Sequence, residues 1–322
     1  MHFSDWCGII SKPSDEAANK IVGVDYNEGP PVPIPNTEVK LACADNTWLE
    51  TARDDRLMPT LIGGHPEGWS FFILFEISGG ITVHDLMGHV RAATEKYAMI
   101  DEGDRIAVGV SGGKDSLYLL YALASMRRYY PKHYEVVALT ADPCFNGKET
   151  DYSAIEALCR EWNVEYRIRR TNLGKIIFED RKEENPCSLC ARMRRGILHD
   201  MTRDAGCRKI ALGHHFDDAV QTFLMNLFYG GKIGCFSPKN YLSRKDLYMI
   251  RPLVFCEEAD IRRAVNKLEL PVVKSGCPAD GITARQDTAD LIAGLEKQFP
   301  DLRHKVMGAM ERADVDGWGG SK

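Results

Sequence analysis

The sequence predicts an α/β protein built on a doubly wound parallel sheet, and three observations carry that expectation. Short apolar runs alternate with segments of helical periodicity from about residue 87 onward. Glycine-rich or acidic turns fall where an apolar run gives way to a helix. Hydrophobic residues make up 44% and charged residues 27% of the 322, a globular balance that excludes a collagen-like or wholly disordered chain.

The elements follow in order. Leu86, Val90, Ala93 and Tyr97 recur at helical spacing and lead through Met99-Ile100 to a Glu-Gly-Asp turn at 102–104. Residues 105–110 read as a strand and 117–126 as an apolar-faced helix. A strand at 136–141, a helix at 154–162 and a strand at 165–169 come next. Residues 191–203 read as a helix, 209–212 as a strand and 217–228 as a helix. Strands separated by helices imply right-handed crossovers and a sheet covered on both faces. Such sheets bind ligands beyond the carboxyl ends of their strands.

Residues 1–86 are different in kind. They hold 5 Lys and Arg against 13 Asp and Glu, and seven of the fifteen prolines precede residue 67. The run Pro30-Pro31-Val32-Pro33-Ile34-Pro35 favours extended polyproline structure and blocks helix. Residues 69–77 form an apolar stretch with strand character, closed by Gly79-Gly80. The segment reads as an irregular acidic extension, dispensable for activity, ahead of a domain at 87–312 and a tail at 313–322. The whole-chain charge of −5 therefore averages an acidic leader with a remainder that carries 36 basic against 33 acidic residues. No apolar run approaches the ~20 residues of a membrane span, and no secretory signal is visible. The expectation is a soluble cytoplasmic protein without a membrane partner.

The strongest motif is Ser111-Gly112-Gly113-Lys114-Asp115-Ser116, directly after the first strand. Glycines let the backbone approach a ligand closely. Loop amides and the following helix start make an anion site, to which the two hydroxyls and Lys114 add donors. It is neither a Walker A loop nor a dinucleotide fingerprint, since the spacings differ. The motif resembles the S-G-G-x-D-S signature of the PP-loop, or N-type ATP pyrophosphatase, superfamily. That resemblance implies the adenine-nucleotide hydrolase fold, ATP, Mg²⁺ and adenylation with release of pyrophosphate. It casts Lys114 and Asp115 as catalytic and the whole of 111–116 as nucleotide-binding.

Leu212-Gly213-His214-His215-Phe216-Asp217-Asp218 marks a second strand-to-helix junction. Gly213, His214 and Asp218 are candidates for the nucleotide, with Asp218 the candidate Mg²⁺ ligand because that ion prefers oxygen donors. The competing reading has Asp217 cap the helix and Asp218 favour its positive end.

Only Cys187 and Cys190 among the ten cysteines stand at a C-x-x-C spacing. A helix start and nearby arginines favour thiolates there. The pair alone fits half a zinc site, a redox pair or half an iron–sulfur site. Cys277 sits between glycine and proline in what reads as a constrained loop. Isolated cysteines are otherwise ordinary small core residues.

Taken together, residues 186–196, 214–231 and Ile250-Arg251-Pro252-Leu253 resemble the TtcA group of tRNA thiolases, over about 87–312. In that group a C-x-x-C and a later cysteine hold a [4Fe-4S] cluster, which maps onto Cys187, Cys190 and Cys277. One departure marks a divergent subgroup: the later cysteine here lacks a second C-x-x-C-type partner, with Lys at 274 and Asp at 280. The resemblance implies an ATP-dependent tRNA sulfurtransferase that adenylates C2 of a pyrimidine, first an anticodon-loop cytidine. Sulfur from a cysteine desulfurase or another donor then replaces the oxygen, and the scheme allows a homodimer. Arg167, Arg169, Arg170, Arg181, Lys182, Arg192, Arg194, Arg195, Arg203, Arg208 and Lys209 crowd around the C-x-x-C, with Lys239, Arg244, Lys245 and Arg251 extending the run. A phosphate backbone requires such a basic region. The alternatives are a PP-loop ligase or thiolase acting on another RNA base or a small metabolite, and a nucleotide- and cluster-binding sensor without turnover.

Overall fold

Six strands form one sheet, in the order β3-β2-β1-β4-β6-β5. They are β1 (Asp104–Gly109), β2 (Tyr134–Asp142), β3 (Glu165–Arg170), β4 (Lys209–Ala211), β5 (Lys239–Leu242) and β6 (Leu247–Ile250). β3, β2, β1, β4 and β6 run parallel, and β5 is antiparallel to β6 at the edge. The computed structural model describes residues 82–180, 186–274, 276–277 and 284–320. The acidic extension, including the strand expected at 69–77, lies outside them.

Chain order explains the shape of the site. From β1 the chain winds outward through β2 and β3, then crosses back to place β4 on the other side of β1. The loops after β1 and β4 therefore leave neighbouring strands in opposite directions, which opens a crevice at the carboxyl edge. Ile106, Ala107 and Val108 of β1 are completely buried, as expected of a central parallel strand covered on both faces.

Helix α1 (Val83–Lys96) is followed by α2 (Lys114–Met126), α3 (Ser153–Glu161), α4 (Pro186–Asp204) and α5 (Phe216–Gly230). The chain closes with α6 (Glu258–Lys267), α7 (Ala284–Glu296) and α8 (Leu302–Arg312). α2 buries Leu117, Tyr118, Leu119, Leu120, Leu123 and Met126 almost completely. A helix apolar on nearly every side must be enclosed, and α2 lies against β1, α1 and α6. Among the described residues no helix is long and apolar enough to cross a membrane.

Three differences from the sequence expectations concern boundaries. α2 begins at Lys114, so the lysine of the phosphate loop is already helical. α1 begins ahead of 87, with Thr82 and Asp85 forming a reciprocal capping box and Leu86 only 1% exposed. Cutting the chain at Met87 would therefore remove a cap and a core side chain. Residues 315–318 are also anchored: Trp318 is fully buried, packs edge-on to Tyr97 and donates its indole N–H to the Phe236 carbonyl. The alternation read from sequence stopped at 228. It missed the β5–β6 hairpin, whose four-residue strands expose Tyr241 and Tyr248, and the highly charged α6.

Candidate active site

The loop after β1 is held by its own serines. Ser116 Oγ accepts the Ser111 amide at 3.1 Å and donates to the Gly113 carbonyl at 2.9 Å. Ser111 Oγ lies 3.1 Å from Ser116 Oγ and accepts the Gly113 amide at 3.3 Å. Gly112 has φ +87°, and a Cβ there would stand 2.9 Å from Val273 Cβ. Only glycine meets both conditions without strain. The first-turn amides of α2, with no intrahelical acceptor, complete the anion cradle.

The loop after β4 closes on this one. A Cβ on Gly213 would meet the Asp115 carbonyl carbon at 3.1 Å and the Ser116 amide at 3.2 Å, so the two loops touch through backbone. The cap of α5 corrects the sequence reading. His215, not Asp217, is the N-cap: its Nδ1 accepts the Asp218 amide at 3.4 Å, while Asp218 Oδ2 accepts the His215 amide at 3.1 Å. His215 Nε2 also stands 3.5 Å from Asp218 Oδ2 and 3.9 Å from Asp115 Oδ1. His214 stacks on Phe236 with centroids 5.1 Å apart. Gly213 thus adjoins the 111–116 loop directly and Asp218 adjoins it through His215, while His214 lies against Phe236.

Asp217 faces elsewhere. One oxygen accepts from Arg303 Nη1 at 2.6 Å and the other from the Glu258 amide at 2.7 Å, at the first turn of α6. Glu258 in turn holds Lys114 Nζ at 3.0 Å, the same distance as Asp115. Burial works against the Lys114 charge, but the two carboxylates outweigh it and raise its pKa. Burial likewise opposes the Glu258 charge, and Lys114 with Arg262 holds it below the ordinary carboxylate range. The sequence reading did not single out Glu258 or Arg303. Glu258 carried a faint signal, an acid at a helix start; Arg303 carried none.

The thiols sit on α4 and on the segment that follows Val273. Cys187 and Cys190 lie within the first five residues of α4, three apart on one face. Cys187 is exposed, Cys190 buried and Cys277 half-buried. Burial pushes the Cys190 thiol up; Arg194 opposes this, and the neighbouring Cys277 and Cys187 thiols reinforce it. Cys190 packs in an apolar cluster with Leu173, Ile177 and Leu189, bordered by Phe145, Phe178 and Met193. The segment leading to Cys277 is tied to the phosphate loop: the Val273 amide donates to the Gly112 carbonyl at 3.0 Å. Four residues of chain reach at most ~14 Å, which bounds how far Cys277 lies from that loop.

Among the described residues, no three His, Cys, Asp or Glu side chains converge on a site for one metal ion. A four-iron cluster spreads its thiolates more widely than one ion does, and an all-sulfur donor set in an apolar shell fits it. Mg²⁺ needs no protein cage, since one or two carboxylates and the phosphates serve.

The basic run divides. Lys209 is buried and bound to Asp101 at 2.7 Å and Asp104 at 2.5 Å, so it is structural rather than an RNA contact. Arg251 is also buried, stacked on Phe236 at 4.7 Å and donating to the Ser237 carbonyl. Arg167, Arg169, Arg170, Arg208 and Lys245 are all ion-paired. Arg192, Arg195, Arg203 and Arg244 are exposed. Arg181 and Lys182 lie outside the described residues.

This geometry has known counterparts. Residues 87–275 match the model of the PP-loop domain family. A tRNA-cytidine(32) 2-sulfurtransferase of Syntrophotalea carbinolica is 42% identical over 217 residues, covering 66% of this chain and 83% of that protein. Its counterpart in Geobacter sulfurreducens is 36% identical over 238 residues, 73% of this chain and 92% of that one. Among solved structures, the U34-tRNA thiolase NcsA from Methanococcus maripaludis, with its [4Fe-4S] cluster, superimposes with a TM-score of 0.60 at 27% identity, over 72% of this chain and 78% of that one. The chain belongs to the PP-loop domain family, within the group of the tRNA-cytidine(32) 2-sulfurtransferases.

Proposed function

We propose that this chain is an ATP-dependent tRNA sulfurtransferase that converts a tRNA cytidine, at position 32 as in its relatives, to 2-thiocytidine. One observation carries the reading: Val273 joins the phosphate loop to the segment bearing Cys277, so an adenylation site and a thiol set occupy adjoining ground. ATP lies along 111–116 with its polyphosphate toward the first turn of α2. The C2 carbonyl oxygen attacks the α-phosphorus, the bond to pyrophosphate breaks, and Lys114 with the loop amides stabilises the departing charge. Asp115 holds Lys114 in the crevice. Asp218 supplies an oxygen ligand for the Mg²⁺ that accompanies ATP, with Gly213 and His214 lining the nucleotide's other side. Sulfide-level sulfur then forms the C2–S bond, the C2–O bond breaks, and the oxygen leaves on AMP.

Cys187, Cys190 and Cys277 would hold the [4Fe-4S] cluster, which when bound supplies an iron on which sulfur can be carried. The apolar shell of Leu173, Ile177 and Phe145 keeps water from that side. Exposed Arg192, Arg195, Arg203 and Arg244 bind the RNA backbone, a contact weakened by salt. The sulfur comes at the sulfide level from a donor, or from a cysteine desulfurase whose persulfide a thiol reductant reduces to that level, and the reaction takes place in the cytoplasm; the scheme also accommodates a homodimer. Anaerobic assay with undermodified tRNA, ATP and a sulfide source tests the reading. One AMP formed per 2-thiocytidine supports it. AMP without any thiolated nucleoside, or thiolation without ATP, overturns it.

A further inference from the structure

Contacts among the first turns of α8, α5, α6 and α2 form one chain that ends at Lys114 of the phosphate loop. Arg303 on α8 is bound to Asp217 at 2.6 Å and to Glu296 of α7 at 2.9 Å. Asp217, on the first turn of α5, holds the amide of Glu258, the opening residue of α6. Glu258 reaches Lys114, the opening residue of α2. Asp217, Gln221, Glu258, Glu296 and Arg303 also line one cleft. Resting on the ATP reading above, we propose that Arg303 and Asp217 fix Glu258, and that Glu258 positions Lys114 for adenylation, coupling the α7–α8 pair to nucleotide use.

A carboxylate at the start of α6 is favoured by the helix alone, so Glu258 needs no partner to be stable there. It nonetheless turns to a lysine of another helix, and the carboxylate behind it has both oxygens engaged. The long lysine side chain has many rotamers to lose when it is fixed. Two carboxylates at 3.0 Å remove most of that freedom before substrate arrives, leaving the ammonium in the crevice where charge develops. Arg303 touches neither the phosphate loop nor Lys114 among the described contacts, so it acts on Glu258 indirectly, through Asp217 and through Glu257 at 3.6 Å, the N-cap residue of the same helix.

A double-mutant cycle on tRNA-dependent AMP formation tests this. Lys114→Met is expected to lower kcat roughly a hundredfold, the scale for loss of one stabilising donor. Glu258→Gln should lower kcat about tenfold with the KM for ATP nearly constant, and the double variant should be no slower than Lys114→Met alone. Arg303→Met should lose activity non-additively with Glu258→Gln, and Arg303→Lys should restore most of it. Multiplicative losses in either pair overturn the proposal, as does a fall in thermal midpoint for Arg303→Met with kcat unchanged. A wild-type protein that forms no AMP at all would instead remove the ATP reading on which the relay stands.

Discussion

The phosphate loop and the thiol site are built by opposite means. The serine hydrogen bonds that shape 111–116 join residues at most five apart in sequence. Cys190 and Cys277 come from segments 87 positions apart in the numbering, and the later one is steadied through Val273 against Gly112. The backbone of the phosphate loop therefore carries most of its geometry locally and should tolerate loss of a thiol. The sulfur half borrows its geometry from the nucleotide half, so damage should pass in one direction.

That asymmetry can be broken at several points. Cys277→Ser should abolish thiolation while leaving the Kd for ATP within about twofold, because the serine bonds that shape 111–116 do not involve the thiol; an ATP affinity that fell with the thiolation would show the halves to be mutually dependent. Gly112→Ala should injure both, because its Cβ meets Val273 at 2.9 Å from a φ of +87°. Strain of that kind costs about 1–3 kcal/mol, read as a loss of ATP affinity of roughly ten- to hundredfold together with weaker cluster retention. Gly213→Ala, whose Cβ would press on the Asp115 and Ser116 backbone at 3.1–3.2 Å, should weaken ATP by about tenfold and leave the brown chromophore near ~400 nm intact.

A smaller effect is expected at the thiols of cluster-free protein. Cys187 is exposed, whereas Cys190 is buried with its pKa raised. Alkylation followed by peptide mass spectrometry at pH 7 should modify Cys187 faster by about tenfold. A raised pKa means the Cys190 thiolate is scarce at neutral pH, so its rate should keep climbing past pH ~9. Equal rates at pH 7 would place Cys190 in water and remove the apolar shell from the account.

Sequence legibility followed the same divide. The parallel sheet was readable because Ile106-Ala107-Val108 and the all-round apolar α2 leave few alternatives, and the phosphate loop because its chemistry fits in six residues. Asp217 misled, since an acid at a helix start reads as a cap. The imidazole of His215 took that place and freed Asp217 for Arg303. Lys209 misled in the same way: a cation in a basic run sits buried between Asp101 and Asp104. Such pairings span 86 to 108 residues, and no local pattern encodes them. The contact of Val273 with Gly112 was equally hidden, although the glycine that permits it was in plain view.

The central claim is that one chain adenylates a tRNA cytidine and replaces its oxygen through three cysteines. Nucleoside mass spectrometry of tRNA from a strain lacking the gene, complemented with wild type or with Cys277→Ser, tests it most directly. The account predicts that 2-thiocytidine is absent in the deletion, restored by wild type and not restored by Cys277→Ser. An unchanged 2-thiocytidine level in the deletion, or full restoration by Cys277→Ser, would contradict it.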